Sequence, residues 1–319
     1  MTKLYAGVDL GGTSMIAVVA DRRGKVRGES GTYTLRDAKP ADVIDQVADQ
    51  IRTACKKASV KPSALESIGV GAPGAVEGAM VVRAPNLKWT NVPMGSVLSK
   101  RFRVPVALGN DVQVAILGEH SFGAAKGTNR AVGIWVGTGI GGGLIINGKL
   151  YNGSRGAAGE IGHMAVSDAG PLCPCGRNGC VEAFASRTSM ERRVREAIAL
   201  GRESVVPDIM RQKEKDRMTS SVIARALKAD DAVMKEVFAS AQHYLGLLAG
   251  NIVNLLDPEV IVIGGGIAQR LGDSFVAPIR ETAQSRYLRP DPKGEIRIVP
   301  AALGDHSGAL GASMLARKS

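Results

Sequence analysis

The feature that most constrains the fold of this chain is a unit that occurs twice. Residues 4–10 are largely apolar, Gly11-Gly12-Thr13-Ser14 follows, and residues 15–20 are apolar again. Further on, residues 131–136 are apolar and β-prone, Gly137-Thr138-Gly139-Ile140-Gly141-Gly142-Gly143 makes a second turn, and residues 144–146 lead out of it. Each reads as two strands joined by a glycine turn, and the repetition points to two related α/β halves. The remaining pattern agrees. A third strand is expected near residues 25–34, an amphipathic helix over 41–58, a strand from 67 to 70, and a short strand over 104–108. That last strand delivers Gly109-Asn110-Asp111 to a helix ending near Phe122. Helices are expected over about 181–199, 220–228 and 231–256. A buried strand over 258–263 then runs through Gly264-Gly265-Gly266 into another helix, and a strand at 295–299 and a helix at 307–316 close the chain. Alternating strands and helices define an α/β protein.

The 319 residues suffice for two ordinary domains. Hydrophobic content of 45% and charged content of 22% are those of a globular chain, and no apolar run is long enough for a membrane helix. The first glycine turn comes too early for a cleavable leader, and the cysteine usage fits a reducing compartment, so a cytoplasmic protein is expected. The formal charge of +11 is dispersed; residues 202–217, for example, interleave cations with Glu203, Asp208, Glu214 and Asp216. Nucleic-acid binding is therefore not implied, and a small anionic substrate fits the charge equally well.

Three of the four cysteines fall together, as His163, then Cys173-Pro-Cys175-Gly-Arg-Asn-Gly-Cys180. The spacing H-x9-C-x-C-x4-C supplies one imidazole and three thiolates, the donor set of a closed tetrahedral Zn2+ site. Glu160 and Glu182 flank it, which a purely structural metal loop does not need. Cys55 instead shares the apolar helix face of Val43, Ile44, Val47, Ala48 and Ile51 and is expected to be a core thiol. His120, His243 and His306 have no such company and read as structural or surface residues.

The glycine turns suit phosphate. Exposed N–H groups at Gly11, Gly12 and Thr13 can cradle phosphate oxygens, and Asp9 before them can hold Mg2+ through water; a plain hairpin turn is the alternative. Gly137–Gly142 spells G-x-G-x-x-G, but strand rather than helix is expected after it, so a hairpin phosphate loop is preferred to a dinucleotide fingerprint. Gly264–Gly266 would let a flat group such as a purine approach the backbone. Asn110 and Asp111, between strand end and helix start, could serve as a cap or as a general base facing a pocket.

Taken together, these residues resemble the ROK family of bacterial sugar kinases and repressors, and within it the glucokinases. The most specific stretch runs from Ile134 through Gly153-Ser-Arg-Gly-Ala-Ala-Gly159-Glu-Ile-Gly-His163 to Glu182. The resemblance implies an actin-like, RNase H-like two-domain α/β fold with a cleft between the domains. It implies a small domain over residues 1–115, with residues 305–319 packing back on it, and a large domain over 116–304 bearing the zinc loop and an oligomerisation surface, in a homodimer or homotetramer. The implied reaction is ATP- and Mg2+-dependent phosphorylation of glucose at its 6-hydroxyl. Asp111 would be the base; Gly74, Asn86, Asn110, Asp111, Glu160, His163 and Glu182 would contact sugar. Asp9, Gly11, Gly12, Thr13, Gly137, Thr138, Gly139, Gly141, Gly142, Gly264, Gly265 and Gly266 would serve the nucleotide, and His163, Cys173, Cys175 and Cys180 a structural Zn2+. Mannose, fructose, N-acetylglucosamine or N-acetylmannosamine are alternative substrates, and polyphosphate an alternative donor. Many members have Lys where this chain has Ser14, and an acid where it has Gly109. The family's repressors carry a DNA-binding domain before the first glycine turn, which here begins at residue 11, so a kinase is expected.

Overall fold

A computed structural model of the chain describes residues 2–315 and 317. Ala316, Lys318 and Ser319, which the expected final helix and small domain include, lie outside the described residues. The chain divides into two compact units: residues 1–133, 143–159 and 302–319 in the first, and 134–142 and 160–301 in the second.

In the first unit, the opening repeat folds as strands β1 (Leu4–Leu10) and β2 (Ser14–Asp21), antiparallel, with Leu10 opposite Met15. Strand β3 (Val26–Tyr33) pairs antiparallel with β2. Helix α1 (Pro40–Lys57) begins with proline at a position where the missing N–H costs nothing, and it buries the stripe Val43, Ile44, Val47, Ala48, Ile51, Ala54 and Cys55. It carries the chain across to β4 (Leu65–Ala72), parallel to β1, as a parallel neighbour requires a crossover. A small antiparallel sheet, β5 (Ala75–Glu77), β6 (Met80–Ala84) and β7 (Trp89–Val92), and helix α2 (Met94–Phe102) precede β8 (Val106–Asn110). The five-stranded order is β3-β2-β1-β4-β8. Helix α3 (Asp111–Phe122) leaves the end of β8 without a loop. The small sheet and α2 lie where the sequence pattern gave no periodic signal.

A second five-stranded sheet has the order β11-β10-β9-β12-β13. Its strands are β9 (Ala131–Val136), β10 (Ile140–Ile146), β11 (Lys149–Leu150), the wholly buried β12 (Val260–Gly264) and β13 (Arg297–Pro300). Strand β10 starts inside the glycine run rather than after it, so the G-x-G-x-x-G stretch opens no helix.

The helix expected over 181–199 is two helices, α4 (Val181–Ala185) and α5 (Arg187–Ala199). Ser186 between them is extended, and its side chain accepts the Ser189 N–H as an N-cap. Periodicity alone does not register a one-residue corner of this kind. Helices α6 (Val206–Gln212), α7 (Ser220–Lys228), α8 (Ala232–Leu256), α9 (Gly266–Leu271) and α10 (Asp273–Gln284) complete the second unit.

Helix α11 (Ser307–Leu315) returns the chain to the first unit. There the fully buried Glu119 of α3 accepts four hydrogen bonds. Its Oε1 takes the Leu303 N–H at 2.9 Å and the Ser307 hydroxyl at 2.8 Å, and its Oε2 takes the N–H of Ala124 at 2.8 Å and of Ala302 at 3.1 Å. Among the described residues, no helix is long and apolar enough to cross a membrane.

Candidate functional site

The first unit builds one set of candidate residues around the turn between β1 and β2. The Gly11 N–H donates to the Ser14 carbonyl at 2.9 Å, and the buried Thr34 locks the turn from outside: its N–H reaches the Thr13 carbonyl at 3.0 Å and its hydroxyl the Gly11 carbonyl at 2.7 Å. Thr34 had no signal in the sequence. Asn86 lies against the turn, since a Cβ on Gly12 would stand 3.3 Å from the Asn86 Cβ.

Asp9, just before the turn, presses its carboxyl against the backbone of α11 at Gly308, where any Cβ would collide with it. Burial, then the negative charges of Asp111 and Asp305, push its pKa up to about 7. Asp9, Asp111 and Asp305 are thus near enough to feel one another's charge. Asp305 is a further member that sequence reasoning passed over.

At the end of β8 the capping duty falls to Asn110. Its Oδ1 accepts the N–H groups of Val112 at 3.0 Å and Gln113 at 3.1 Å, and its Nδ2 donates to the Gly74 carbonyl at 3.1 Å. The two expected sugar contacts Asn110 and Gly74 are thereby joined. Asp111 begins α3, with its Oδ1 accepting the Val112 N–H at 2.9 Å, and a carboxylate at a helix N-terminus is electrostatically favoured. Gln113, one turn in, donates from Nε2 to the Ala158 carbonyl at 3.1 Å.

The second unit builds the cysteine cluster. The short turn Ile161–His163 presents the imidazole, and the loop after it is shaped by backbone bonds such as Cys173 N–H to Arg177 O at 2.8 Å and Val181 N–H to Met164 O at 3.0 Å. One donor atom from each of His163, Cys173, Cys175 and Cys180 lies within 4.8 Å of all the others. Zn–S and Zn–N bonds of about 2.3 and 2.0 Å in a tetrahedron require S···S and S···N edges of about 3.8 and 3.5 Å. Here Cys175 Sγ and Cys180 Sγ are 3.6 Å apart, and Cys173 Sγ is 3.6 Å from His163 Nδ1. The four residues fit Zn2+, with Nδ1 the imidazole atom directed at it.

The three thiols differ electrostatically. The backbone N–H and side chain of Arg177 hold Cys175 well below the usual thiol range, whereas burial raises Cys173 and Cys180. Cys55, by contrast, is enclosed in the core, and burial pushes its thiol up to about 11.

Glu182, in the first turn of α4, touches both this cluster and the second glycine turn. Its Oε1 is 3.9 Å from Cys173 Sγ, and its Oε2 accepts the Ile140 N–H at 2.7 Å. Any side chain at Gly139 would collide with that carboxylate, so the close approach requires glycine. The corner between α4 and α5 grips the same turn: Arg187 N–H to the Gly137 carbonyl at 3.0 Å, Thr188 hydroxyl to the Thr138 carbonyl at 2.8 Å, and Arg187 Nη2 to Thr138 Oγ1 at 2.7 Å. The third glycine run lies alongside. Gly265 has φ +93° and backs onto the Val136 carbonyl, which only glycine permits.

The other histidines make local contacts: His120 Nε2 with the Thr128 carbonyl at 2.8 Å, and His306 Nε2 with Glu29 at 3.1 Å. His243 stands edge-on to Tyr244.

Residues 5–319 match the ROK family. A glucokinase of Halalkalibacterium halodurans is 33% identical, over 98% of this chain and 95% of its own length. A xylose repressor of Caldicellulosiruptor bescii is 31% identical over 88% of this chain, which spans 70% of that protein. A ROK family glucokinase from Streptomyces griseus, solved in complex with glucose and AMPPNP, superposes with a TM-score of 0.85 at 30% identity, covering 99% of this chain and 100% of its own. The fold is accordingly the actin-like two-domain α/β fold expected from the sequence. A match across nearly the whole chain, in sequence and in structure alike, leaves one conclusion: this protein belongs to the ROK family.

Proposed function

We propose that this chain is a sugar kinase that transfers the γ-phosphoryl group of ATP to the 6-hydroxyl of glucose. The observation that carries the reading is the end-to-end likeness to a glucokinase whose structure holds glucose and a nucleotide analogue. The local chemistry agrees with it. Phosphoryl transfer asks a protein mainly for positioning and for charge stabilisation. Asp111, at the head of α3, is the group that accepts the proton of the attacking hydroxyl. Gly74, Asn86, Asn110, Glu160, His163 and Glu182 bind and orient the sugar hydroxyls. Acceptor-rich side chains of this kind reject an analogue lacking a paired hydroxyl far more strongly than an apolar pocket could.

The turns Gly11–Thr13 and Gly137–Gly142 offer backbone N–H groups to the phosphates, and Gly264–Gly266 lies beside the adenosine. Asp9 holds Mg2+ through water, and the ion supplies charge neutralisation on the phosphates. His163, Cys173, Cys175 and Cys180 hold Zn2+, which supplies rigidity rather than reaction chemistry. With Nδ1 turned toward the sulfurs, Nε2 is left for a sugar hydroxyl.

A coupled assay crossing glucose, mannose, fructose, N-acetylglucosamine and N-acetylmannosamine with ATP and polyphosphate tests the reading. The expected result is the highest kcat/KM for glucose with ATP. A tenfold preference for another sugar would overturn the glucose assignment, and no turnover in any combination would overturn the kinase. The likeness to a xylose repressor favours a second reading, sugar-responsive DNA binding. Nanomolar, sequence-dependent mobility shifts at physiological salt would select it.

A further inference from the structure

The proposed roles leave Arg187, beside the second glycine turn, unused. Arg187 opens α5 at the corner after Ser186, and the residue is half-buried. Nη2 donates to the neutral hydroxyl of Thr138 at 2.7 Å, and among the described residues no carboxylate forms an ion pair with it. The nearest acid by charge, Glu191, is engaged by Arg195 Nη2 at 2.6 Å and by the Met218 N–H at 2.9 Å. Arg217, exposed and close enough to repel it, adds a second positive charge. A partly desolvated guanidinium is costly unless an anion joins it. Its planar fork of donors matches the oxygens of a phosphate, and Nη2 donates to Thr138, a residue of the second glycine turn. The first turn, Asp9-Leu-Gly11-Gly12-Thr13-Ser14, carries no cation of its own.

We propose that Arg187 binds the phosphates of the phosphoryl donor, held over the second glycine turn by Thr138. The inference rests on the reading of Gly137–Gly142 as a phosphate loop. It makes Arg187 a donor-affinity residue, with no part in sugar recognition.

Arg187→Gln and Arg187→Lys separate charge from tethering: glutamine retains a donor for Thr138 without charge, and lysine retains charge without the fork. The expected result for Arg187→Gln is a KM for ATP raised roughly 10- to 100-fold, the loss of a charge-assisted bond, with the KM for hexose within twofold of wild type. Its KM for ATP should also become less dependent on ionic strength, and Arg187→Lys should recover most of the affinity. A KM for ATP within twofold of wild type in Arg187→Gln would overturn the proposal. Equal losses in both variants with unchanged salt dependence would also overturn it, making Arg187 a tether only. Calorimetric titration with ADP and with inorganic tripolyphosphate, without sugar, keeps the two claims apart. If the wild type phosphorylates no sugar yet binds tripolyphosphate, and Arg187→Gln does not, the kinase reading falls and the anion site stands.

Discussion

Replacing Glu119 should reveal how the two ends of the first unit are joined. Its carboxylate is fully buried and accepts from Ala124, Ala302, Leu303 and Ser307. Three of those partners lie more than 180 residues away in sequence, just before or at the start of α11. Hydrogen bonds to a charged acceptor contribute about 1.5–3 kcal/mol each, so four would sum to about 6–12 kcal/mol if independent. They are not independent, because one side chain makes them all and water entering the vacated space would re-satisfy some donors. For Glu119→Ala we expect a loss of about 3–5 kcal/mol, the range for removing one partner of a buried charged network. Glu119→Gln should be milder, about 2–3 kcal/mol. Its amide nitrogen must face two of the four donors, and only the Ser307 hydroxyl can turn to accept. Urea unfolding followed by circular dichroism measures both. A loss below about 1 kcal/mol for Glu119→Ala, or a glutamine variant as stable as wild type, would refute the charge-centred account of this junction.

Asp111→Asn should fold normally and bind hexose within a few-fold of wild type, while kcat falls by roughly 10²-fold or more, the scale of a lost general base; near-normal turnover would remove Asp111 from that role. Cys175→Ser should lose Zn2+ and weaken hexose affinity together, measured by metal analysis and calorimetry. Wild-type affinity in a verified zinc-free variant would show that the metal does not shape the sugar site. Asp21 offers a pH test. Burial alone would raise its carboxyl, but the Arg27 side chain and the N–H groups of Arg23 and Lys25 outweigh that and hold it below the usual carboxylate range. Its contribution is therefore present above the unfolded pKa, about 4, and lost as pH falls through the folded value. Asp21→Asn should cost about 1 kcal/mol at pH 7, with the difference shrinking below pH ~4; a difference that grew on acidification would contradict the sign.

The two glycine hairpins, the stripe of α1 and the buried β12 were legible because each is a local pattern. A period of two, a period of 3.6 or a run of glycines identifies the element before any tertiary contact is known. The cysteine cluster was legible for a similar reason, since metal chemistry fixes donor types and spacing. Asn110 and Asp111 were legible only as a pair. Strand-to-helix placement allowed either to cap, and the structure gives that duty to Asn110. Thr34, Glu119 and Asp305 were not legible. Thr34 acts on a turn 20 or so residues back, Glu119 on partners at the other end of the chain, and Asp305 through the charge it adds beside Asp9. Nothing in the sequence near any of them announces such a long-range partner. The break at Ser186 was hidden because both flanking segments share a helical period.

That break matters more than its length suggests. Had α4 and α5 been one helix, Glu182 and Arg187, five positions apart, would have pointed to different faces. The extended Ser186 turns the chain so that both residues reach the second glycine turn. Glu182 takes the N–H of Ile140, and Arg187 takes the Gly137 carbonyl and the Thr138 hydroxyl. Glu182 in turn stands beside Cys173 of the metal cluster. The turn is thus held from one corner by two side chains of opposite charge, Glu182, which also lies 3.9 Å from Cys173, and Arg187, which donates to the Thr138 hydroxyl. A rigid cluster alone would fix only the imidazole of His163. Because Glu182 lies beside that cluster and also accepts the Ile140 N–H, the proposed sugar-facing and donor-facing residues of this unit meet at one side chain.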